Sequence, residues 1–265
     1  MASPASPPPE KPEPKAPPHP TLKAYYAADP ERSRYVLDLF NETAPHYNTV
    51  EKIFGNGGLL YRRLSLKRAG LRPGMRVLDV AIGTAAVSRG AVRLVGPTGR
   101  VFGVDPSMGM MREARKVFGG PLTRGVAQTL PFRTGEFDFV TMGIALRHVS
   151  DLVRAFSEYH RVLRPGGKVW ILEGHVPRSA LGQRMTRFVW ARLIPGMTLI
   201  ATRSREAKEL MDYYWDTVDQ AVSPETIVRV LGEVGFVDAR AQVTMPGAFV
   251  EYTARRPAAA PTPAS

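Results

Sequence analysis

Cysteine is absent from the 265 residues of the chain. Because disulfides, thiolate metal sites and cysteine nucleophiles all need cysteine, the sequence excludes each of them. No apolar run reaches the roughly 18 residues that a membrane-spanning helix requires. The start of the chain also lacks the basic segment and apolar core of a signal peptide. Together these absences favour a cytoplasmic protein.

Acidic residues are a minority, with 24 Asp and Glu against 36 Lys and Arg and a net charge of +12. Such an excess predicts either a basic surface that meets anionic lipid or nucleic acid, or charges scattered over solvated faces. The sequence has no dense Lys/Arg block, no alternation of basic and aromatic residues, and no loop typical of base-flipping enzymes. Scattered charge is therefore favoured, and nucleic acid is not expected as a partner.

Proline is concentrated at the two ends, and it marks the expected domain boundaries. Residues 1–24 begin "MASPASPPPEKPEPKAPPHP", a composition that cannot build a core and predicts a disordered tail. Residues 257–265 predict a second disordered tail. Residues 25–256 are long enough for one domain with a core of its own.

Between these ends, apolar runs of strand length alternate with helical stretches. This alternation predicts an α/β fold with a doubly wound, mostly parallel seven-stranded sheet and an antiparallel C-terminal strand. A first helix is expected to begin near Asp29 and to end before "TAPHYN", and a final hairpin is expected to turn at Pro246 and Gly247. The predicted strands are residues 76–80, 101–105, 137–142 and 169–173, and the helices between them are residues 87–95, 108–118 and 152–163.

Residues 178–222 depart from the strand–helix alternation and are predicted to form a helical lid over the acceptor. Their apolar side chains could line a pocket for a prenyl-like tail while arginines face lipid headgroups, which would place the protein at the periphery of a membrane. An ordinary amphipathic helix packed on the sheet explains the pattern equally well. The residues in question are Met185, Phe188, Val189, Trp190, Leu193 and Ile194.

The segment "VLDVAIGTAAVSR", residues 77–89, contains the first strand-to-helix turn. It has neither the G-x-G-x-x-G pattern nor a phosphate-binding P-loop. Ala81, Gly83 and Ala85 nevertheless keep the turn free of bulky side chains, so backbone can approach a ligand closely. If Ala85 has a positive φ, the strain costs on the order of 1 kcal/mol.

Two acids end the first two strands. Asp79 favours a cationic ligand over a pyrophosphate, and Asp105, followed by Pro106, can accept hydrogen bonds from both hydroxyls of a ribose. With the small-residue turn between them, the pair indicates a positively charged nucleoside without phosphate, such as S-adenosylmethionine. Each acid alone would also suit a residue that caps the next helix.

Five segments of the sequence together carry a family resemblance: "APHYN" (44–48), "VLDVAIGTA" (77–85), "GVDPSMGMMREAR" (103–115), "FDFVTMGIALRHVSD" (137–151) and "RVLRPGGKVWILE" (161–173). With these segments the sequence resembles the class I S-adenosylmethionine-dependent methyltransferases, and within them the ubiquinone/menaquinone biosynthesis C-methyltransferase family. The resemblance is clearest over residues 35–173.

The resemblance implies a role for several positions. Thr84 would lie in the first loop beside the cofactor, and Asp105 would bind the ribose hydroxyls. Gly143 would lie under the methionine end, and Tyr47 would close over the site. The residues expected to contact the cofactor are Asp79, Ala81, Gly83, Thr84, Asp105, Pro106, Val126, Ala127 and Gly143.

Catalysis on an aromatic acceptor needs charge stabilisation and proton transfer. Arg147 could stabilise the oxyanion of an ionised ring hydroxyl, and His148, where the family has Asn, could act as a base. Tyr47 could add a hydrogen bond. The alternatives are a surface ion pair between Arg147 and Asp151 and a histidine satisfied by backbone.

The sequence thus predicts a methyltransferase that uses S-adenosylmethionine to methylate a small aromatic molecule, with the ring carbon of a quinol or phenol favoured. Two alternatives stay open. One is O-methylation of another small molecule; the other is a degenerate, cofactor-binding accessory or quinone-modifying protein. The histidines show no metal-ligand spacing. The oligomeric state is not predicted.

Overall fold

A computed structural model describes residues 16–53, 57–244 and 249–259. Its centre is a seven-stranded sheet in the order β3-β2-β1-β4-β5-β7-β6, in which β7 runs in the opposite direction to the other six strands. This confirms the predicted sheet, although the short β3 was not located from the sequence. The strands are β1 (Arg76–Val80), β2 (Arg100–Asp105), β3 (Leu122–Arg124), β4 (Phe137–Gly143), β5 (Leu163–Gly174), β6 (Val237–Thr244) and β7 (Phe249–Arg255).

Helices cover both faces of the sheet. Neighbouring strand residues point to opposite faces, so Val77 packs beneath α2 and α3 while Leu78 packs beneath α5 and α9. Both faces of the parallel strands are therefore apolar, as expected for a doubly wound fold. The helices are α1 (Asp29–Ile53), α2 (Gly57–Ala69), α3 (Ala86–Val95), α4 (Met108–Arg115), α5 (Leu152–Val162), α6 (Ala180–Phe188), α7 (Ile194–Thr202), α8 (Arg205–Asp219) and α9 (Pro224–Glu233).

Helix α1 is longer than predicted, because it continues through Pro45 to Ile53. Proline removes one backbone hydrogen bond from a helix, but tertiary contacts compensate here. Upstream of the proline, the Asn41 side-chain oxygen accepts hydrogen bonds from the Ser107 hydroxyl at 2.8 Å and from the Gly109 amide at 2.9 Å. These bonds attach α1 to the start of α4.

The segment before α1 packs on the domain. His19 and Leu22 are buried, the Ala16 carbonyl accepts a hydrogen bond from the Leu152 amide, and the Pro18 carbonyl accepts one from the Val222 amide. We call residues 16–26 the strap. The predicted tail is therefore wrong for residues 16–24, because the proline-rich composition hid apolar residues that join the core. Residues 1–15 lie outside the described part of the chain.

The C-terminal end and the last hairpin are described in part. Residues 257–259 are exposed and have no regular secondary structure. The remaining predicted tail, residues 260–265, and the predicted turn at residues 246–247 lie outside the described residues. The antiparallel pairing of β6 with β7 on either side of that turn is as predicted.

Residues 178–222 are almost entirely helical. Helix α6 continues through a π-helical turn, Val189–Leu193, into α7. Helix α8 packs against α7, the π turn and α1. Within the described residues, none of the helices is both long and apolar enough to cross a membrane.

Candidate active site

A cavity of about 270 Å³ opens at the C-terminal ends of β1, β2 and β4. The turns that follow these strands form its floor, and α1 covers it with Val36, Leu37 and Phe40. This is the edge of a parallel sheet where ligands of doubly wound folds bind. The predicted site residues that line the cavity are Tyr47, Ala81, Gly83, Thr84, Asp105, Pro106, Val126, Ala127, Gly143 and His148.

The first turn has a left-handed backbone at three positions. The φ angles are 54° at Ala81, 54° at Gly83 and 65° at Ala85. Ala85 thus has the positive φ that the sequence analysis considered, and Ala81 adds a second strained alanine, at a cost of about 1 kcal/mol each. The Ile82 amide donates to the Val104 carbonyl at 3.1 Å, which fixes the turn against β2.

Asp105 connects the first turn to the second. Its carboxylate accepts hydrogen bonds from the Gly83 amide at 2.9 Å and from the Ser107 amide at 2.8 Å. Burial raises the pKa of Asp105 to about 6, although both amides oppose the shift. Because this pKa is still below neutral pH, the carboxyl group is mostly ionised there, and Asp105 lines the space where a ligand would bind.

Asp79 lies beneath the cavity rather than in its lining, which corrects the prediction of a cofactor contact. Its two carboxylate oxygens accept hydrogen bonds from the Ser88 hydroxyl at 2.6 Å and from the Thr141 hydroxyl at 2.8 Å. Burial raises the pKa of Asp79 to about 7. The carboxyl group therefore joins the start of α3 to β4 and supports the floor of the cavity from beneath.

Arg147 does not face this cavity, which corrects its predicted role on the acceptor. Its guanidinium donates to the Glu173 carboxylate at 2.5 Å and to the Thr217 hydroxyl at 3.0 Å, and it lies 3.9 Å from the ring centre of Tyr214. The predicted surface pair with Asp151 is also wrong, because Arg147 is buried. The side chain instead borders a second cavity of about 310 Å³ on the other side of the 3₁₀ turn Leu146–His148.

His148 lines the cavity with its ring between Phe40 and Tyr213. Both ring nitrogens are buried, and neither has a hydrogen-bond partner among the described residues. Burial lowers the pKa of His148 well below its usual value, and the charges of Arg147 and Arg32 lower it further. The imidazole is therefore neutral at physiological pH, and the hydrogen-bonding capacity of its two nitrogens is unused in the cavity wall.

Two features of the site were missed by sequence reasoning. Ile144 lines the cavity with a φ of 58°, a rare value for a β-branched residue. The sequence does not indicate this strain, because a positive φ would be expected at the adjacent Gly143 rather than at Ile144. Gly143 is required for another reason: a Cβ there would lie 2.5 Å from Val87. The other missed feature is the cover by Val36, Leu37 and Phe40 of α1, since only Tyr47 of this helix was expected over the site.

The residues of the floor fit S-adenosylmethionine. The Thr84 hydroxyl is buried in the cavity wall with no partner among the described residues, so the site contains an unsatisfied polar atom. A Cβ at Gly83 would meet only the Ala81 carbonyl, at 4.0 Å, so the turn is open on its cavity side. Asp105 supplies a carboxylate in place of a phosphate-binding loop.

Comparison with known proteins shows the family of the chain. The model of the ubiE/COQ5 methyltransferase family matches residues 29–255. The chain belongs to this family. A demethylmenaquinone methyltransferase of Symbiobacterium thermophilum is 32% identical over 231 residues, which are 82% of this chain and 90% of that protein. A ubiquinone/menaquinone biosynthesis C-methyltransferase of Geobacter sulfurreducens is 34% identical over 216 residues, 78% of this chain and 83% of that protein.

Solved structures show the same fold at lower identity. A SAM-dependent methyltransferase from Aquifex aeolicus aligns with a TM-score of 0.56 and 17% identity, over 78% of this chain and 97% of that one. Family and fold together identify an S-adenosylmethionine-dependent methyltransferase. Within the described residues there is no group of three or more His, Asp or Glu arranged to hold a metal ion.

Proposed function

We propose that this ubiE/COQ5 family member transfers the methyl group of S-adenosylmethionine to a ring carbon of a quinol. The observation that carries the proposal is the two-sided cavity. Its floor presents small residues and one carboxylate, whereas its cover presents Val36, Leu37 and Phe40. An apolar cover suits a flat aromatic acceptor, and relatives named as menaquinone and ubiquinone methyltransferases support a quinone-type one.

The floor would hold the cofactor in three places. Asp105 would accept hydrogen bonds from the ribose hydroxyls, and Val126 and Ala127 would border the adenine. Thr84 would donate its unpaired hydroxyl near the methionine end, over Gly143. When bound, S-adenosylmethionine supplies an electrophilic methyl group on a positively charged sulfur. The protein's main tasks are then alignment of the acceptor and exclusion of water.

His148 and Tyr47 would orient the acceptor ring. A neutral imidazole nitrogen can accept a hydrogen bond from a quinol hydroxyl and so place electron density on the neighbouring ring carbon. The lowered pKa makes His148 a weak proton acceptor, so its proposed role is to hold this hydroxyl rather than to store its proton. Tyr47 lines the same side of the cavity and would add a second polar contact.

Arg147 would act through its neighbours. Its backbone carbonyl accepts a hydrogen bond from Arg32, and its side chain is paired with Glu173. These contacts hold the 3₁₀ turn that carries His148, so Arg147 is a positioning residue in this proposal. A quinol with a prenyl tail would be delivered from a membrane, and peripheral membrane contact therefore belongs to the proposal.

The test is a transfer assay with labelled S-adenosylmethionine and a panel of reduced acceptors. The panel contains prenylated naphthoquinols and benzoquinols with one free ring carbon, together with simple phenols. We expect a quinol product with both hydroxyls intact and the label on carbon, as determined by mass spectrometry and NMR. Label on oxygen would favour the O-methyltransferase alternative, and cofactor binding without transfer to any acceptor would favour an accessory protein.

A paired variant tests the proposed role of His148. His148→Ala should lower kcat at least tenfold while S-adenosylhomocysteine affinity stays within twofold, because one hydrogen bond to the acceptor is lost. His160→Ala is the matched control, since His160 packs against Phe236 away from the cavity. Equal losses in both variants would refute the assignment.

A further inference from the structure

The outer side of the helix formed by α6, the π turn and α7 carries a row of exposed apolar side chains. Leu181 is 71% exposed, Phe188 63% and Ile200 81%. The opposite side of the same helix is occupied, because Thr186, Ile194 and Thr198 are buried against the domain. We call the exposed row the outer stripe, and it consists of Leu181, Met185, Phe188, Leu193, Met197 and Ile200.

These side chains do not line the acceptor cavity, which corrects the prediction that Met185, Phe188 and Leu193 form a prenyl pocket. Val189, Trp190 and Ile194 do not line it either and instead pack in the core, where the Trp190 ring stacks on Tyr214 with their centres 5.0 Å apart. The exposed parts of the stripe side chains are therefore not covered by the described fold. An apolar face of this size on one surface marks an interaction site.

The π turn aligns the two halves of the outer stripe. Each half has i, i+4, i+7 spacing, and Leu193 follows Leu181 by twelve residues. In an uninterrupted α-helix, twelve residues at about 100° each would place these two side chains about 120° apart. Because a π turn accommodates one extra residue, the offset falls to about 20°. The turn Val189–Leu193 thus makes one continuous stripe out of two short ones.

The segment that carries the outer stripe has charges of a single sign. Residues 178–205 contain six arginines and no Asp or Glu. Arg178 and Arg187 form ion pairs with Glu225 and Asp219 of the neighbouring helices, and Arg205 lies beside Glu206. The other three are exposed and form no ion pair with a described residue: Arg184, Arg192 and Arg203. An apolar stripe flanked by arginines is the pattern of a helix that lies in the interface of an anionic bilayer.

We propose that the outer stripe docks the enzyme on anionic lipid, with its apolar side chains in the headgroup region and its arginines against phosphates. This deepens the proposed function, since it names the surface from which a prenylated acceptor would be reached. A second copy of the chain fits this face poorly, because a symmetric pairing would bring the same unpaired arginines together. The helix lies on the membrane and does not enter it as a span, consistent with its length and composition.

The test is flotation of the full-length protein with phosphatidylcholine vesicles and with vesicles that also contain phosphatidylglycerol. We expect binding to the anionic vesicles, weakened by salt and weak or absent on the neutral ones. Arg184→Glu/Arg192→Glu should weaken binding at least twentyfold, since each basic residue near such a surface contributes about fivefold. Phe188→Ser/Ile200→Ser should weaken it at least tenfold through lost apolar burial.

The control variant Arg112→Glu/Val117→Ser makes the same kinds of change on and just after α4, where both residues are exposed. It should bind vesicles nearly as the unchanged protein does. Circular dichroism and titration with S-adenosylhomocysteine establish that each variant is folded. Neither measurement needs an acceptor, so failure of vesicle binding and failure of quinol methylation are separate results.

Three outcomes would overturn the proposal. The unchanged protein could fail to bind anionic vesicles, or the stripe variants could bind as well as the control. The third is a dimer at assay concentrations that the stripe variants convert to monomer, as measured by analytical ultracentrifugation. In that case a second copy, and not lipid, covers the outer stripe.

Discussion

The floor and the cover of the cavity are built by different means. The floor consists of turns that directly follow β1, β2 and β4, and its bonds join residues near in sequence or on adjacent strands, such as Gly83 to Asp105. The cover consists of α1, the strap and α8, held by contacts across most of the chain, such as the Tyr25 hydroxyl on the Asp216 carboxylate at 2.7 Å. Floor geometry therefore depends on local backbone, whereas cover geometry depends on long-range packing.

Because of this difference, we expect substitutions in the floor and in the cover to change different properties of the protein. Substitutions in the floor should change cofactor affinity with the fold retained, because the sheet beneath it stays intact. Substitutions in the cover should change stability first, because each contact there joins distant segments around buried polar groups. Four predictions test this division, from the largest expected effect to the smallest.

Removal of the buried cation that joins the turn after β4 to α8 should have the largest effect. Arg147→Ala leaves the Glu173 carboxylate buried without its ion pair, and we expect the free energy of unfolding to fall by about 3–5 kcal/mol in urea titrations. Glu173→Gln in the same protein should recover part of the loss, because a neutral amide needs no cation. Unchanged stability with a large loss of turnover would instead restore a direct catalytic role for Arg147.

The carboxyl group beneath the floor should make stability depend on pH. The pKa of Asp79 is raised from 3.8 to about 7, so its ionisation opposes folding as pH rises through this window. At about 1.4 kcal/mol per unit, the cost approaches about 4 kcal/mol above pH 7 and vanishes below pH 4. Asp79→Asn can keep contacts with both hydroxyls, so its melting temperature should exceed that of the unchanged protein increasingly from pH 4 to pH 8. A constant difference would contradict the shift.

The carboxylate within the floor should control affinity. Asp105→Ala removes the acceptor of the Gly83 and Ser107 amides and the proposed ribose contact, so S-adenosylhomocysteine affinity should fall about a hundredfold. Titration calorimetry measures the loss. The affinity of Asp105→Asn, which keeps one carbonyl oxygen, should lie between those of the alanine variant and the unchanged protein. Unchanged affinity in the alanine variant would refute the ribose assignment.

Substitution of the two strained alanines should have the smallest effects on stability, and these effects should differ between the two positions. Glycine relieves about 1 kcal/mol of left-handed strain at either position but adds unfolded-state entropy. Ala85 is fully buried, so Ala85→Gly also loses about 0.8 kcal/mol of methyl burial, whereas Ala81 is only partly buried. Ala81→Gly should therefore melt at a higher temperature than Ala85→Gly. The reverse order would show that strain at Ala85 exceeds this balance.

Sequence reasoning succeeded where local rules decide structure. Strand-length apolar runs, the small-residue turn and the acid at the end of β2 are features of short segments, and each was found in its predicted place. It failed where the role of a side chain depends on the partner that it finds in the folded structure. Asp79 and Arg147 carry suitable chemistry at suitable positions, but Ser88 and Thr141 engage the first and Glu173 engages the second. No local pattern reveals those partners.

The strap has a consequence for the order in which the molecule is completed during synthesis. It is made before the rest of the described fold, yet its partners Leu152, Asp216 and Val222 are made much later. The strands of the floor can pair while the chain is still growing, whereas Leu22 is buried only once α8 is present. Residues made early are thus among the last to reach their places, and the active site gains its cover only after α8 has been made.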